Sequence, residues 1–151
     1  GFRHEWLGVC RHIFLIRNPA EVAASFAATT GSATADDLGS AIQHDLYNLT
    51  CRISGYSWPV IEGIDVLRDP EGMLRKVCAA IDVPFDDAML SWPAGKRDSD
   101  GPWADWWYSR VEASTGFEPP RASPHDFPGT LKSVVETCRP HYEALRSVKL
   151  T

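Results

Sequence analysis

Arg17 is the first side chain in this sequence placed where ligand chemistry is expected. It follows the apolar run His12-Ile13-Phe14-Leu15-Ile16 and precedes Asn18-Pro19-Ala20-Glu21. Its guanidinium is a fixed planar cation whose donor fork matches a phosphate. Ser25 stands seven residues beyond Asn18. That is about two helical turns, so a helix begun at Asn18 carries both on one face. A group held by Arg17 can then also meet the Ser25 hydroxyl. The alternative is structural: Arg17 pairs with Glu21, and Ser25 fills a place that needs a small residue. A second basic point is the loop Ala94-Gly95-Lys96-Arg97, which ends in Gly101-Pro102-Trp103. Glycine lets backbone approach a ligand, and Lys96 and Arg97 add charge for an anion. Asp98, Asp100 and Asp105 oppose that if they face inward, and a solvated loop is the alternative.

Other reactive side chains give weaker patterns. Trp92, Trp103, Trp106, Trp107 and Tyr108 can wall a pocket or form a small core under loops. His4, His12, His44, His125 and His141 show no metal spacing, and Cys10, Cys51, Cys78 and Cys138 form no CxxC pair. The cysteines read as small buried thiols of a reducing compartment. No GxxxxGK[ST] motif occurs.

The elements that position Arg17 follow from periodicity and caps. His12–Ile16 reads as a strand buried on both faces of a parallel sheet. Asn18 caps the next helix, Pro19 takes its first position, and Gly31 stops it. A second helix starts near Asp36, with Leu38, Ile42, Leu46, Leu49 and Ile53 as its buried stripe. Val60–Val66 reads as a second strand, and Asp69-Pro70-Glu71 opens a third helix lined inside by Leu74, Val77, Cys78 and Ile81. A short helix follows over Asp87–Leu90, and another over Trp103–Ser114. The last helix spans roughly Pro128–Val148, with Leu131, Val134, Val135, Cys138, Tyr142 and Leu145 inward and Pro140 kinking or splitting it. Ligands of open α/β sheets bind outside the carboxyl ends of strands, where Arg17 stands.

With 151 residues the chain has room for one domain with a real core. The net charge of -5 argues against nucleic acid or an anionic membrane as partner. No apolar run approaches the roughly 18 residues of a membrane span, and the reading of the cysteines as reduced thiols gives the expectation of a cytoplasmic protein.

The strand, the Arg-Asn-Pro and the serine eight residues past the arginine resemble the 3′-phosphate-binding segment of sulfotransferases. These enzymes use 3′-phosphoadenosine-5′-phosphosulfate (PAPS). Further stretches are similar to a bacterial-type branch of that family. They are Leu67-Arg68-Asp69-Pro70-Glu71-Gly72, Val83-Pro84-Phe85-Asp86, Met89-Leu90-Ser91-Trp92-Pro93, Gly101-Pro102-Trp103 and Ser114-Thr115-Gly116-Phe117. The resemblance implies a partial three-layer αβα fold of P-loop type, with a parallel sheet and a helical C-terminal part. It implies PAPS as cofactor, Arg17 and Ser25 on its 3′-phosphate, and Lys96 and Arg97 assisting. The acceptor would be a hydroxyl or amine of a small molecule or carbohydrate. The family's 5′-phosphosulfate loop would precede the first strand, so residues 1–151 read as one domain lacking that half. The family's histidine base finds no match here. A non-catalytic nucleotide-binding or interaction module of the same fold, or a nucleotide-kinase relative, are the rival readings.

Overall fold

The computed structural model describes residues 5–102, 104, 108–120 and 129–151. His4, Trp103, Trp106, Trp107 and His125 therefore lie outside the described residues. Two short parallel strands, β1 (Phe14–Ile16) and β2 (Val60–Glu62), pair with Phe14 opposite Val60 and Ile16 opposite Glu62. The connection between them is helical: α1 (Pro19–Thr30), α2 (Ala35–Leu38) and α3 (Ser40–Ser54). After β2 come α4 (Gly63–Arg68) and α5 (Pro70–Ala80). A 3-10 turn covers Asp87–Leu90, α6 covers Ser109–Ala113, and α7 runs from Lys132 to Arg146. This is a mixed α/β architecture around a small parallel sheet.

Local chemistry accounts for the boundaries. The Asn18 side chain accepts from the Ala20 amide at 3.0 Å, Pro19 opens α1, and Gly31 closes it in the left-handed region. Asp69 caps α5 by accepting from the Gly72 amide at 3.0 Å. A Cβ at position 72 would lie 2.0 Å from Asp69 Oδ2, so this cap requires glycine. The 3-10 turn starts where the Asp86 side chain accepts from the Ala88 amide.

The core lies between β1, β2 and α7. Phe14, Ile16, Val60, Tyr142 and Leu145 form it, with Tyr47 and Trp58 packed against them. On the opposite face of β2, Ile61 meets Met73 and Val77 of α5. Ala23 of α1 packs on Leu131 and Val135, and Ala20 and Ala27 flank it, so small residues bring α1 close to α7. The chain end adds to the sheet: the Leu150 amide donates to the Val60 carbonyl at 2.7 Å, on the edge of β2 away from β1.

Several expectations need correction. The first strand is not buried on both faces, since Leu15 is 58% and Ile13 44% exposed. Helix α5 covers Ile61, and among the described residues no buried cluster carries that cover across to Leu15 beside it. The expected second strand ends at Glu62, and Gly63–Arg68 is helical. The expected second helix is broken at Gly39, which has φ 65° and serves as both a stop and a start. Its apolar stripe is not the buried one: Ile42, Leu46 and Ile53 are exposed, and Thr50 is buried. The reason lies in what α3 meets. Tyr47 packs edge-on against Phe14, with ring centroids 5.3 Å apart, and the Gln43 side-chain Nε2 donates to the Leu15 carbonyl at 2.9 Å. Those contacts fix a face that helical periodicity did not select. In α5 the buried residues are Met73, Val77 and Cys78, with Leu74 only half-buried. Pro140 does not split α7, because Val135, Cys138, Tyr142 and Leu145 bury along one face on both sides of it while its ring is exposed. Of the four cysteines, Cys78 and Cys138 are buried, Cys10 and Cys51 are half-buried, and all are free.

Candidate functional site: an arginine-lined cleft at the strand ends

Arg17 leaves the carboxyl end of β1, and beside it β2 ends at Glu62. The two strand ends and α7 enclose an open cleft of about 500 Å³. That volume is within the range of small-molecule sites. Among the described residues four arginines line it: Arg17, Arg68 from α4, and Arg139 and Arg146 from α7. Glu21, Glu62 and Glu143 also line it, so among the described residues four positive charges face three negative ones. The cleft is thus net positive in a chain of net charge -5.

Its floor is an ionic cluster centred on the buried Glu62. Glu62 is 6% exposed and accepts from the Tyr142 hydroxyl and, at 2.7 Å, from Lys149 Nζ. Lys149 also donates to Asp65, and Arg146 Nε lies 3.6 Å from Glu62. Burial pushes the Glu62 carboxyl up, but the bonds from Lys149 and Tyr142 and the charges of Lys149 and Arg146 outweigh it. They hold the carboxyl below its ordinary range. Burial first, and then the bond to Glu62, drives the Tyr142 phenol well above its ordinary value. The bonds to Asp65 and Glu62 raise the Lys149 ammonium. This cluster ties the end of α7 to the end of β2, and so sets where Arg139 and Arg146 stand relative to Arg17.

Arg17 Nε donates to Glu21 Oε2 at 2.8 Å, the pairing foreseen as the structural alternative. The Arg17 side chain is 57% exposed. The Glu21 side chain is 20% exposed, and a helical ion pair between residues four apart is worth about 0.3–0.5 kcal/mol. A charge-assisted hydrogen bond to a ligand contributes about 1.5–3 kcal/mol. The pair with Glu21 is therefore too weak to hold Arg17 from an anion.

Ser25 is exposed on α1, one helical turn beyond Glu21. It does not fill a packed position, because the buried face of α1 runs through Ala20, Ala23 and Ala27. It is also not among the residues lining the cleft. Lys96 and Arg97 are exposed in their loop and lie outside that lining. The loop is ordered by local bonds: the Gly95 amide donates to the Glu112 carbonyl, and the Arg97 amide to Asp100. Trp92 is a small-core residue, with Nε1 donating to Ser114 Oγ and its ring edge-on to Phe117.

Among the described residues, no histidine or lysine lines the cleft. Arg68, Arg139 and Arg146 were not singled out by the sequence reading. A signal for two of them exists, since Arg139 and Arg146 are seven residues apart and share one helical face with Tyr142 and Glu143 between them. That polar stripe is adjacent to the apolar one that drew attention to α7.

Comparison with known proteins adds the following. A family model described as a sulfotransferase domain matches residues 1–149. Two Arabidopsis thaliana proteins named branched-chain-amino-acid aminotransferase-like protein 2 and protein 1 are each 36% identical to the chain over 97% of its length. The chain spans 26% of the length of each of these relatives. No solved structure matches. Among the described residues, no helix is long and apolar enough to cross a membrane.

Proposed function

Because the chain belongs to the sulfotransferase domain family, we propose that it supplies the 3′-phosphate-binding half of a PAPS site. The reaction would transfer a sulfonate to a hydroxyl or amine of a small-molecule or carbohydrate acceptor. The observation that carries this reading is Arg17, at the carboxyl end of β1, opening into a net-positive cleft. Four guanidiniums at parallel strand ends are a donor set suited to phosphate, and the cleft volume fits a nucleotide-sized group. In this reading residues 1–151 act as one domain of a three-layer P-loop-type fold. PAPS, when bound, supplies the sulfonate. The chain's own residues bind and orient: Arg17 turns from Glu21 to the 3′-phosphate, and Ser25, on the turn after Glu21, donates its hydroxyl. Lys96 and Arg97 assist from their loop.

Among the described residues the cleft lining offers no evident base, since Glu21, Glu62 and Glu143 are each paired with arginine. This favours a binding role for the chain itself and keeps the non-catalytic nucleotide-binding module as the second reading. Calorimetric titration with 3′-phosphoadenosine 5′-phosphate tests the assignment. Arg17→Ala should weaken binding roughly tenfold or more, and Ser25→Ala about threefold to tenfold. A Lys96→Ala/Arg97→Ala double variant should weaken it less than Arg17→Ala. Unchanged affinity in Arg17→Ala and Ser25→Ala would remove both residues from the site. Tight binding without sulfonate transfer to phenol or amine acceptors would select the module reading.

A further inference from the structure

We propose that Arg139 is a ligand-binding residue of the cleft. It would meet from α7 the same phosphate-bearing anion that Arg17 meets from the end of β1. The inference deepens the reading above and rests on it only for the identity of the nucleotide. Of the four arginines that line the cleft among the described residues, three have carboxylate partners. Arg17 bonds Glu21, Arg68 lies 3.7 Å from Asp65, and Arg146 lies 3.6 Å from Glu62 and 3.7 Å from Glu143. Arg139 has no ion-pair partner among the described residues, yet it lines the same confined space. Like charges gathered in one cleft repel, and an anion between them relieves the repulsion.

The placement on α7 sharpens the point. The apolar face of that helix, with Val135, Cys138, Tyr142 and Leu145, is locked into the core. Its Tyr142 hydroxyl and the following Lys149 are tied to Glu62. Arg139 stands one turn before Tyr142 and Glu143 on the side that lines the cleft. Its backbone is therefore fixed while its long side chain, exposed and without an ion-pair partner among the described residues, can reach toward the strand ends. Arg17 is likewise fixed at its backbone by β1 and the Asn18 cap. Two guanidiniums on rigid supports, facing one space from a strand and a helix, form a clamp for a multiply charged anion such as a phosphomonoester or pyrophosphate. The clamp would join α7 to the β1–α1 corner when occupied, so occupancy should also raise the melting temperature.

The test is a set of titrations of the intact chain with sodium pyrophosphate, 3′-phosphoadenosine 5′-phosphate and uncharged adenosine. The proteins are wild type, R139A, R139K, R17A and R52A. Arg52 is an exposed arginine of α3 outside the cleft lining, so R52A controls for net charge alone. The expected result is that R139A weakens both anions roughly tenfold or more. R139K should fall between R139A and wild type, and R52A should change less than about twofold. Adenosine should bind weakly and equally to all five. Circular dichroism of R139A should match wild type, because the residue is exposed. If R139A binds both anions as R52A does, the inference is overturned. If that occurs while R17A still loses the adenosine bisphosphate, the cofactor reading stands without it. If pyrophosphate binding depends on Arg139 and the adenosine bisphosphate binds no better than pyrophosphate, the clamp stands and the cofactor reading falls. Failure of both anions to bind wild type overturns both.

Discussion

Replacing Lys149 with methionine tests what holds α7 to the sheet. The Glu62 side chain is 7% exposed and takes hydrogen bonds from Lys149 and Tyr142, with Arg146 at 3.6 Å. Methionine keeps most of the apolar stem and removes the charge. Glu62 is then left buried with one hydroxyl and a half-exposed guanidinium. Removing one partner of a fully buried pair costs about 3–5 kcal/mol. Here Arg146 remains, and Lys149 is 21% exposed, so part of the loss is screened. The expected destabilisation is about 2 kcal/mol. Urea unfolding followed by far-ultraviolet circular dichroism at pH 7 measures it. Glu62→Gln combined with Lys149→Met should be at least about 1 kcal/mol less destabilised than the two single changes added together. The pH dependence has a fixed sign. The folded Glu62 carboxyl is held below its unfolded value, so its contribution is present above about pH 4.3. It is lost as pH falls through the folded value, and the stability gap between wild type and Glu62→Gln should close in that acid range. A Lys149→Met protein within about 0.5 kcal/mol of wild type, with an additive double variant, would refute this account.

Three further outcomes are expected. Glu21→Gln should free Arg17 and tighten anion binding about twofold, the equivalent of a 0.3–0.5 kcal/mol surface pair, measured by the same titrations. Leu145→Ala, at a side chain only 1% exposed in the main core, should cost about 2–5 kcal/mol in urea unfolding. Gly72→Ala should cost about 1 kcal/mol or more, because the new Cβ displaces the Asp69 cap. Asp69→Ala should cost a similar amount, and the double change should not be additive.

What the amino-acid sequence determined by itself was local, together with the family. Asn18, Pro19 and Gly31 set the bounds of α1, Asp69 and Pro70 the start of α5, and Asp86 the start of the 3-10 turn. Caps act over one helical turn, so neighbours in sequence carry the information. The parallel pairing of the two apolar runs also followed, as did the position of Arg17 at a strand end. The tertiary structure decided which face of each element was covered. Ile42 and Leu46 obey helical periodicity and still face outward, because Tyr47 and Gln43 meet β1 instead. Leu15 is apolar and exposed, because the buried cluster of α5 stops at β2. The cleft itself is a product of distance in the chain. Arg139 and Arg146 come within reach of the space beside Arg17 because α7 packs on the strands and Tyr142 and Lys149 bind Glu62 across 80 and 87 residues. Pairings over such separations depend on the packed core that aligns α7 with the strand ends, and no spacing along the chain encodes them.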